Sequence, residues 1–466
     1  MLLPLLSAIL GILAFSPANL YFLGFIFLAP LFIFFLKEDR FWRLVLGAFI
    51  FRWVFGLGTV YFTLEPITWL LSSLIFLGLA VSVFLLKKIY KHLLPEISNY
   101  ALIFSLPFIW TLFDHLEARY SLLPAYIMTA GNIFGSSPFV GLSAIGGLIF
   151  LIFFAASINI LVADLILKIK IRELKNSFWH FFIIIFIIFA AWQISNSELQ
   201  KNSNYYNGLK NSLKISAVSV NDKFNIKDAD ELASELAESG SDLIIFPEDI
   251  LNDPSASPRS FDFYGGLAKE LNTPLLAAFK TRRDEKKYNS AVLFDKNGEV
   301  VDVYDKNRLT FIGEYWPFGS WRPFFYDWLG KNDSKFENYT IFNSQDPYFQ
   351  GDKKNLSINS RESTLDFAVL ICLEIHYPND LQKYKEMGAK FIINPTSNRW
   401  LDLGTKHFLY LADNLKKIES VWLKIPIISS GVKDYAGVIL PNGKTYLVNY
   451  ESDSQNYNVF IGKIKY

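Results

Sequence analysis

Cysteine is almost absent from this chain. Cys372 is the only cysteine among 466 residues, so an intramolecular disulfide and any metal site built from several cysteines are excluded. The five histidines do not fall at ligand spacing, and the sequence has no glycine-rich phosphate loop. We therefore expect neither a metal nor a cofactor. The single thiol is either an inert core side chain or a nucleophile.

The chain also lacks an excess of charge of either sign. Its formal net charge is +1, so no basic field argues for a nucleic-acid partner. Apolar residues make up 52% of the chain, and long apolar runs dominate as far as residue 195. Charged and turn-forming residues reach ordinary globular density after that point. We predict a transmembrane helical domain over 1–195, a juxtamembrane linker over 196–212 and a soluble domain over 213–466.

Several apolar runs in the first part are candidates for membrane spans, each of which needs about 20 mostly apolar residues. The first run has no basic segment before it and a second run follows at once, which disfavours a cleaved signal peptide. The first and fifth runs are short, and the sixth is long enough to tilt. The seven runs are Leu2–Ser16, Leu20–Leu36, Leu44–Phe62, Trp69–Leu86, Ala101–Phe113, Val140–Leu167 and Trp179–Ile194.

Basic residues between these runs predict the orientation. Alternate connections carry almost none, with Arg119 as the exception, and the other connections carry ten: Lys37, Arg40, Arg43, Lys87, Lys88, Lys91, Lys168, Lys170, Arg172 and Lys175. Cytoplasmic loops are enriched in lysine and arginine, so we expect the N-terminus in the cytoplasm. Seven spans then place residues after 195 outside the cytoplasm. Within the third run we expect Arg52 to pair with Asp114 rather than to act on a substrate.

The soluble part alternates short apolar strands with amphipathic helices. We predict eleven strands and four helices between Leu213 and Ile461, including a hairpin turn at 295–298. This alternation favours an α/β layered domain.

A carboxylate, a lysine and a thiol, each able to take part in catalysis, follow three of the predicted strands. Glu248 follows Phe246-Pro247, Lys306 follows Tyr304-Asp305, and Cys372 follows the run 366–371. Taken singly, the first two are more often a loop glutamate and a surface lysine. Together they supply what acyl transfer through a thioester requires. A carboxylate can accept the thiol proton, a lysine can stabilise the oxyanion, and the backbone N–H of Leu373 is a second oxyanion donor.

These motifs resemble the nitrilase, or carbon–nitrogen hydrolase, superfamily. The resemblance implies a nitrilase-like catalytic domain over 213–466, folded as a four-layer αββα sandwich. It implies that Glu248 is the general base, Lys306 the oxyanion stabiliser and Cys372 the nucleophile. Glu314 matches a further glutamate that supports catalysis in many members, and Glu374 matches the acidic residue two positions after the nucleophile.

The whole chain resembles the apolipoprotein N-acyltransferase family. The resemblance rests on the segments 13–17, 304–309, 311–314 and 395–400, and on His407. The chain departs from the family in the strand end usually rich in serine, threonine and asparagine, which here reads Ser429-Ser430-Gly431-Val432-Lys433-Asp434. The family normally adds a last span after the soluble domain, and Tyr466 is reached without one. An aromatic commonly follows the nucleophile, where this chain has Leu373.

The resemblance implies a two-step reaction at a bacterial inner membrane, with the catalytic domain on the periplasmic side. Cys372 takes the sn-1 acyl chain of a phospholipid as a thioester, and the N-terminal amine of a diacylglyceryl apolipoprotein then receives it, which completes lipoprotein maturation. The implied partners are these two lipids and the membrane, and we expect a monomer.

An aromatic-rich stretch follows Glu314. Tyr315, Trp316 and Trp321 are candidates for a lid that dips into the membrane interface, and Trp400 is a further candidate substrate contact; ordinary core under a loop is the alternative. Two other functions stay open. One is a membrane-anchored nitrilase-type amidase acting on a small amide, and the other is a non-catalytic membrane scaffold.

Overall fold

The chain folds into two compact units. The computed structural model describes all residues except 16–17, 61–65, 122–124, 171–173, 225, 252–257, 323, 325–339, 342–345, 360–363, 402–403 and 450–454. The first unit comprises Met1–Asn202 together with Lys406–Trp422, and the second comprises Ser203–Thr405 together with Leu423–Tyr466.

The first unit is built from apolar helices, and each of the seven predicted runs overlaps one of them. The second run, Leu20–Leu36, is α-helical only from Ala29 and begins with a 3₁₀ helix at Tyr21–Phe25. The helices are α1 (Leu2–Ala14), α2 (Ala29–Lys37), α3 (Phe41–Thr59), α4 (Pro66–Leu93), α5 (Ser98–Tyr120), α6 (Ser143–Lys170) and α7 (Leu174–Gly208). Among the described residues, five helices are long and apolar enough to cross a membrane, and α1 and the segment Tyr21–Lys37 are shorter. The fifth run, predicted to be short, lies in a helix of 23 residues, because its polar flanking turns are helical as well.

The segment predicted as a linker is helical over most of its length. Helix α7 continues for 35 residues as far as Gly208. Residues 196–201 include good helix formers such as Glu198, Leu199 and Lys201. Between residues 196 and 207 the sequence has neither glycine nor proline. The polar segment 196–208 is therefore a helical continuation of the last apolar helix rather than irregular chain.

Arg52 pairs with a different carboxylate from the one we predicted. Its guanidinium forms an ion pair with Glu117 and also donates to Ser72 Oγ at 3.2 Å. Asp114 instead accepts a hydrogen bond from Ala130 N at 2.9 Å. Because Asp114 and Glu117 lie one turn apart on α5, they share a face, and spacing alone does not decide between them.

The second unit is a mixed α/β domain, as the alternation of strands and helices predicts. Its helices are α8 (Ile226–Ser239), α9 (Arg259–Glu270) and α10 (Pro378–Glu386). Its strands are β1 (Ser212–Val220), β2 (Leu243–Glu248), β3 (Leu275–Arg283), β4 (Lys286–Phe294), β5 (Val300–Asp305), β6 (Leu356–Asn359), β7 (Thr364–Val369), β8 (Ile392–Ser397), β9 (Ile427–Val432), β10 (Ala436–Ile439), β11 (Thr445–Val448) and β12 (Tyr457–Lys465).

The strand order is β5-β4-β3-β2-β1-β9-β8-β7-β6, with β12 antiparallel to β1 and β10 joined to β9. The run from β3 through β2, β1, β9 and β8 to β7 is parallel throughout. Strand β4 is antiparallel to both β3 and β5, so β5 points the same way as β3. The carboxyl ends of β2, β5, β7, β8 and β9 therefore share one edge of the sheet. The eleven predicted strands are all present, and β6 is the one that we did not predict.

A helix that lies among the strands in sequence belongs to the first unit. Residues 406–422 of α11 (Thr405–Leu423) are grouped with α1–α7. Within that unit, Asn132 Nδ2 donates to Leu411 O at 3.0 Å and Asn202 Nδ2 donates to Val421 O at 2.9 Å. His407, which the family resemblance singled out, makes a hydrogen bond to the carbonyl of Thr59. Buried amide side chains thus join α11 to the apolar helices.

Candidate active site

The sheet brings the predicted catalytic residues to its carboxyl edge. Glu248 is the last residue of β2, Lys306 follows β5, and Cys372 lies three residues beyond β7. Their side chains are buried, with 8%, 1% and 9% of their surface exposed. Burial of a lysine and a glutamate requires partners, and each of these two has one.

Asn289 on β4 connects the two glutamates of the site. Its Nδ2 donates to Glu248 Oε1 at 2.7 Å and to Glu314 Oε1 at 2.6 Å. Glu314 also forms an ion pair with Lys306, with 2.8 Å between Glu314 Oε2 and Lys306 Nζ. The backbone carbonyl of Asn289 also accepts a hydrogen bond from the Lys306 backbone N–H at 2.8 Å. The result is a continuous chain from Glu248 through Asn289 and Glu314 to Lys306.

Cys372 has a backbone conformation that few non-glycine residues adopt. Its φ is +53°, and it begins the short 3₁₀ helix Cys372–His376 directly after the strand exit. A positive φ at such a turn is typical of strained functional positions. Asn394 of β8 fixes the turn from the neighbouring strand, because its Nδ2 donates to Leu370 O at 2.6 Å and to Cys372 O at 3.1 Å. Leu373, whose N–H we predict as an oxyanion donor, is the second residue of the 3₁₀ helix.

Glu374 joins the cysteine turn to the lysine loop. Its carboxylate accepts the backbone N–H of Ile371 at 2.8 Å, of Asn307 at 2.8 Å and of Arg308 at 2.9 Å. It also accepts the hydroxyl of Tyr304 at 2.9 Å. The residues just before Cys372 and just after Lys306 are thus held by one side chain. Burial raises the pKa of Glu374 to about 7, against the opposing effect of Lys306 and these donors.

The electrostatics of the site favour a protonated lysine and a neutral thiol. Burial by itself would lower the pKa of Lys306, but the carboxylates of Glu314 and Glu248 outweigh it and raise that pKa. Burial raises the pKa of Glu314, but the ion pair with Lys306 reverses this and leaves the pKa below its usual value.

Burial raises the pKa of Glu248 above its usual value, against the opposing charge of Lys306, and a raised pKa makes a carboxylate a stronger base. Burial also raises the pKa of the Cys372 thiol, followed in effect by the charge of Glu248, while Lys306 opposes both. A thiol of this kind needs a base to remove its proton as it attacks.

The predicted aromatic lid contains side chains of two kinds. Tyr315 and Trp321 are exposed at 47% and 59%, whereas Trp316 is buried at 7% and packs on the ring of Phe311. The Trp316 Nε1 donates to Trp321 O at 2.8 Å. Trp316 is therefore the buried residue of this segment, and Tyr315 and Trp321 are its exposed aromatic residues. Trp400 is half-buried in the turn after β8.

Sequence reasoning missed Asn289 and Asn394, two buried polar residues inside strands. The available signal was an amide close to an apolar run, Asn289 before 291–294 and Asn394 after 391–393, because a buried amide requires hydrogen-bond partners. Within the described residues, no group of three histidine, cysteine, aspartate or glutamate side chains is arranged to hold a metal ion.

Two protein families match the two parts of the chain in order. The Apolipoprotein N-acyltransferase N-terminal domain matches residues 7–161, and the Carbon-nitrogen hydrolase family matches residues 212–416. The second part of the chain thus matches the nitrilase, or carbon–nitrogen hydrolase, superfamily, and the first part, with its apolar helices, matches the N-terminal domain of the apolipoprotein N-acyltransferases. These matches confirm the resemblance to the apolipoprotein N-acyltransferase family seen in the sequence.

Curated relatives support this assignment at low identity. Apolipoprotein N-acyltransferase 2 of Treponema denticola is 26% identical over 47% of this chain and 42% of its own length. The Aquifex aeolicus apolipoprotein N-acyltransferase is 28% identical over 46% of this chain and 44% of its own length. The Borreliella burgdorferi protein is 22% identical over 88% of this chain and 79% of its own length. The chain spans less than half of the length of the first two.

Among solved structures, an amidase from Nesterenkonia sp. AN1 aligns with a TM-score of 0.38 and 14% identity, covering 54% of this chain and 90% of the amidase.

Proposed function

We propose that this protein transfers an acyl chain from a phospholipid to the N-terminal amine of a diacylglyceryl apolipoprotein. The observation that carries the proposal is the hydrogen-bonded chain Glu248–Asn289–Glu314–Lys306 next to Cys372, in a member of this family. It supplies a base, a cation and a nucleophile at one sheet edge. These are the groups that acyl transfer through a thioester requires.

In the first step the Cys372 sulfur bonds to the sn-1 ester carbon while its proton passes to Glu248. The ester oxygen acquires negative charge, which Lys306 and the Leu373 N–H stabilise. The C–O bond then breaks, and the lysophospholipid leaves with the proton returned by Glu248. An acyl-thioester remains on Cys372.

In the second step the amine of the acceptor attacks the thioester carbon, and Glu248 removes a proton from the nitrogen. The C–S bond breaks, its electron pair returns to sulfur, and an amide is released; the proton held by Glu248 then passes to the sulfur, which restores the thiol and the carboxylate. Glu314 keeps Lys306 protonated and in place throughout, and Glu374 positions the two loops. Tyr315, Trp321 and Trp400 are proposed to contact the lipid.

The proposed setting is the bacterial inner membrane, with a cytoplasmic N-terminus and the catalytic domain on the periplasmic side. Ten basic residues against one in alternating connections support this orientation. We also propose the domain limits 1–195 and 213–466, a monomer, and the αββα layering that the superfamily implies. The branch at β1, which pairs with β2, β9 and β12, supports a division of the sheet into two layers.

The test is the intact mass of the purified full chain after incubation with phosphatidylethanolamine vesicles. A mass increase of one acyl chain, removed by neutral hydroxylamine and absent in Cys372→Ala, is the expected result. If no adduct forms while Cys372 still reacts with a small thiol reagent, the phospholipid donor is wrong. The amidase alternative would then be tested with small amides.

A further inference from the structure

The sequence at the end of β9 departs from the pattern usual in the family that the chain resembles. The residues found there form hydrogen bonds to the end of β8. Asn398 N donates to Val432 O at 2.9 Å. The carboxylate of Asp434 accepts Thr396 Oγ1 at 2.8 Å and Asn398 Nδ2 at 3.2 Å on the same oxygen. Lys433 Nζ donates to Leu401 O at 2.8 Å. Four hydrogen bonds thus hold the segment 396–401 to the segment 432–434.

Asp434 is itself rigidly placed. Only 3% of its surface is exposed, and its other carboxylate oxygen accepts the Tyr435 N–H at 2.7 Å. Its carbonyl accepts Ser219 Oγ at 2.9 Å, which ties it to β1. A Cβ at Gly431 would lie 2.2 Å from the Asp434 Cβ, so the aspartate occupies the space that glycine leaves open.

Between the two side chains that Asp434 holds lies Ser397. Strands β7 and β8 run parallel, with Val369 opposite Ile393, so the end of β8 comes beside the turn that carries Cys372. Ile393 faces β7, because its carbonyl accepts the Leu370 N–H at 2.9 Å, whereas Asn398 faces β9. By the two-residue alternation of a strand, the Ser397 N–H faces the same side as Ile393, toward the turn that carries Cys372. Burial raises the pKa of this thiol most strongly, and the Ser397 N–H opposes that effect by favouring the thiolate.

We propose that Asp434 is a positioning residue that holds Thr396 and Asn398 so that the Ser397 N–H stays directed at the Cys372 sulfur. The proposal deepens the proposed acyl transfer and rests on it for the roles in the two steps below. The hydrogen-bond geometry holds without it.

The sulfur carries negative charge at two points of the proposed reaction. It does so as the thiol proton passes to Glu248 and the S–C bond forms, and again as the C–S bond breaks and the electron pair returns to sulfur. A fixed N–H donor favours both moments, since hydrogen bonds to charged groups are stronger than those to neutral ones. Loss of Asp434 is therefore expected to slow both steps, while Lys306 and Glu248 stay in place.

The test measures the alkylation rate of Cys372 by iodoacetamide, using intact mass on the full chain in detergent. Asp434→Ala is expected to react about tenfold more slowly than the wild type, the effect of losing one hydrogen bond to a charged group. Asp434→Asn keeps the oxygen that accepts from Thr396 and Asn398 and loses only the acceptor of the Tyr435 N–H, so its rate is expected to stay within about threefold of the wild type. This rescue by a conservative change is not expected of a merely structural loss.

Two further variants keep the test decisive. Ser216→Ala removes a buried hydrogen bond of 2.7 Å to Ser241 in the same unit and is expected to lower the unfolding temperature but not the alkylation rate. Thr396→Val removes one donor to Asp434 and substitutes for Asp434→Ala if that variant does not fold. Wild-type alkylation rates in folded Asp434→Ala and folded Thr396→Val would overturn the proposal. Iodoacetamide needs no lipid, so this outcome is separate from a failure of phospholipid to acylate the protein.

Discussion

Two glutamates with opposite charge preferences lie on either side of Asn289. Glu314 is ionised and bound to Lys306, whereas the pKa of Glu248 is raised by burial and, in part, by the charge of Glu314. The amide between them donates to both carboxylates at once. The pKa of Glu248, the proposed base, is therefore set first by burial and then by the charges of Lys306 and Glu314.

Replacing Glu314 with glutamine should move the acid limb of the acylation rate to lower pH. Glu248 must be ionised to accept a proton, so the rate falls as the pH drops through the Glu248 pKa. Removing the negative charge of Glu314 lowers that pKa, by about one unit for a neighbouring carboxylate. The measurement is the pH profile of single-turnover acylation of Glu314→Gln, beside Glu299→Gln at an exposed position. An acid limb that stays in place or rises contradicts the assignment of Glu248 as base.

Asn289→Asp should have the opposite effect on the same profile. It places a third carboxyl group beside Glu248 and Glu314, and like charges raise the pKa of a carboxyl group. We expect the acid limb to move to higher pH and the maximal rate to fall. If Asn289→Asp and Glu314→Gln shift the limb in the same direction, Asn289 does not control the Glu248 charge.

At the scale of elements, the site depends on the parallel run of strands. Glu248, Lys306 and Cys372 come from β2, β5 and the turn after β7, which share one sheet edge. The three motifs at strand exits could be recognised in the sequence because each is a short run of residues flanked by apolar residues, and both features are visible without knowledge of the fold. The strand order could not, because it depends on which strands pair across long stretches of chain.

Asn394→Ala should destabilise the link between β8 and the cysteine turn. Its amide donates to the carbonyls of Leu370 and Cys372, and the variant loses both of these buried hydrogen bonds. Such a loss costs about 2 kcal/mol or more. Thermal unfolding of the full chain should show a lower midpoint for Asn394→Ala, while Asn297→Ala in the exposed β4–β5 turn should match the wild type. An unchanged midpoint would show that Asn394 does not hold the turn.

At the scale of the whole molecule, a buried ion pair lies within the helices of the first unit. Arg52 and Glu117 are exposed by only 4% and 5%. Breaking a buried pair from one side costs about 3–5 kcal/mol, because the remaining charge is uncompensated. Glu117→Gln should therefore lower the unfolding midpoint much more than Glu96→Gln, which is exposed. An unfolding midpoint that recovers in the double variant Arg52→Gln/Glu117→Gln would show that the two residues act as a pair. If Glu117→Gln and Glu96→Gln lower the midpoint equally, the ion pair does not stabilise the protein.

The proposed orientation is tested by fusing alkaline phosphatase after Tyr466. The phosphatase folds with its disulfides only outside the reducing cytoplasm, so the fusion should be active in cells. A matched fusion after Lys91, in a connection rich in basic residues, should be inactive. The reverse pattern would place the catalytic unit in the cytoplasm and contradict the phospholipid route from the outer leaflet.

The sequence by itself determined the apolar helices, the α/β pattern, the three strand-exit motifs and the family resemblance, because periodicity, composition and short motifs are properties of neighbouring residues. Only the tertiary structure decided that Arg52 pairs with Glu117, that Asn289 joins Glu248 to Glu314, and that 406–422 belongs with the apolar helices. Each of these depends on contacts between residues far apart in the chain. The choice of partner there follows from packing and from the need to satisfy buried polar groups, which no local pattern records.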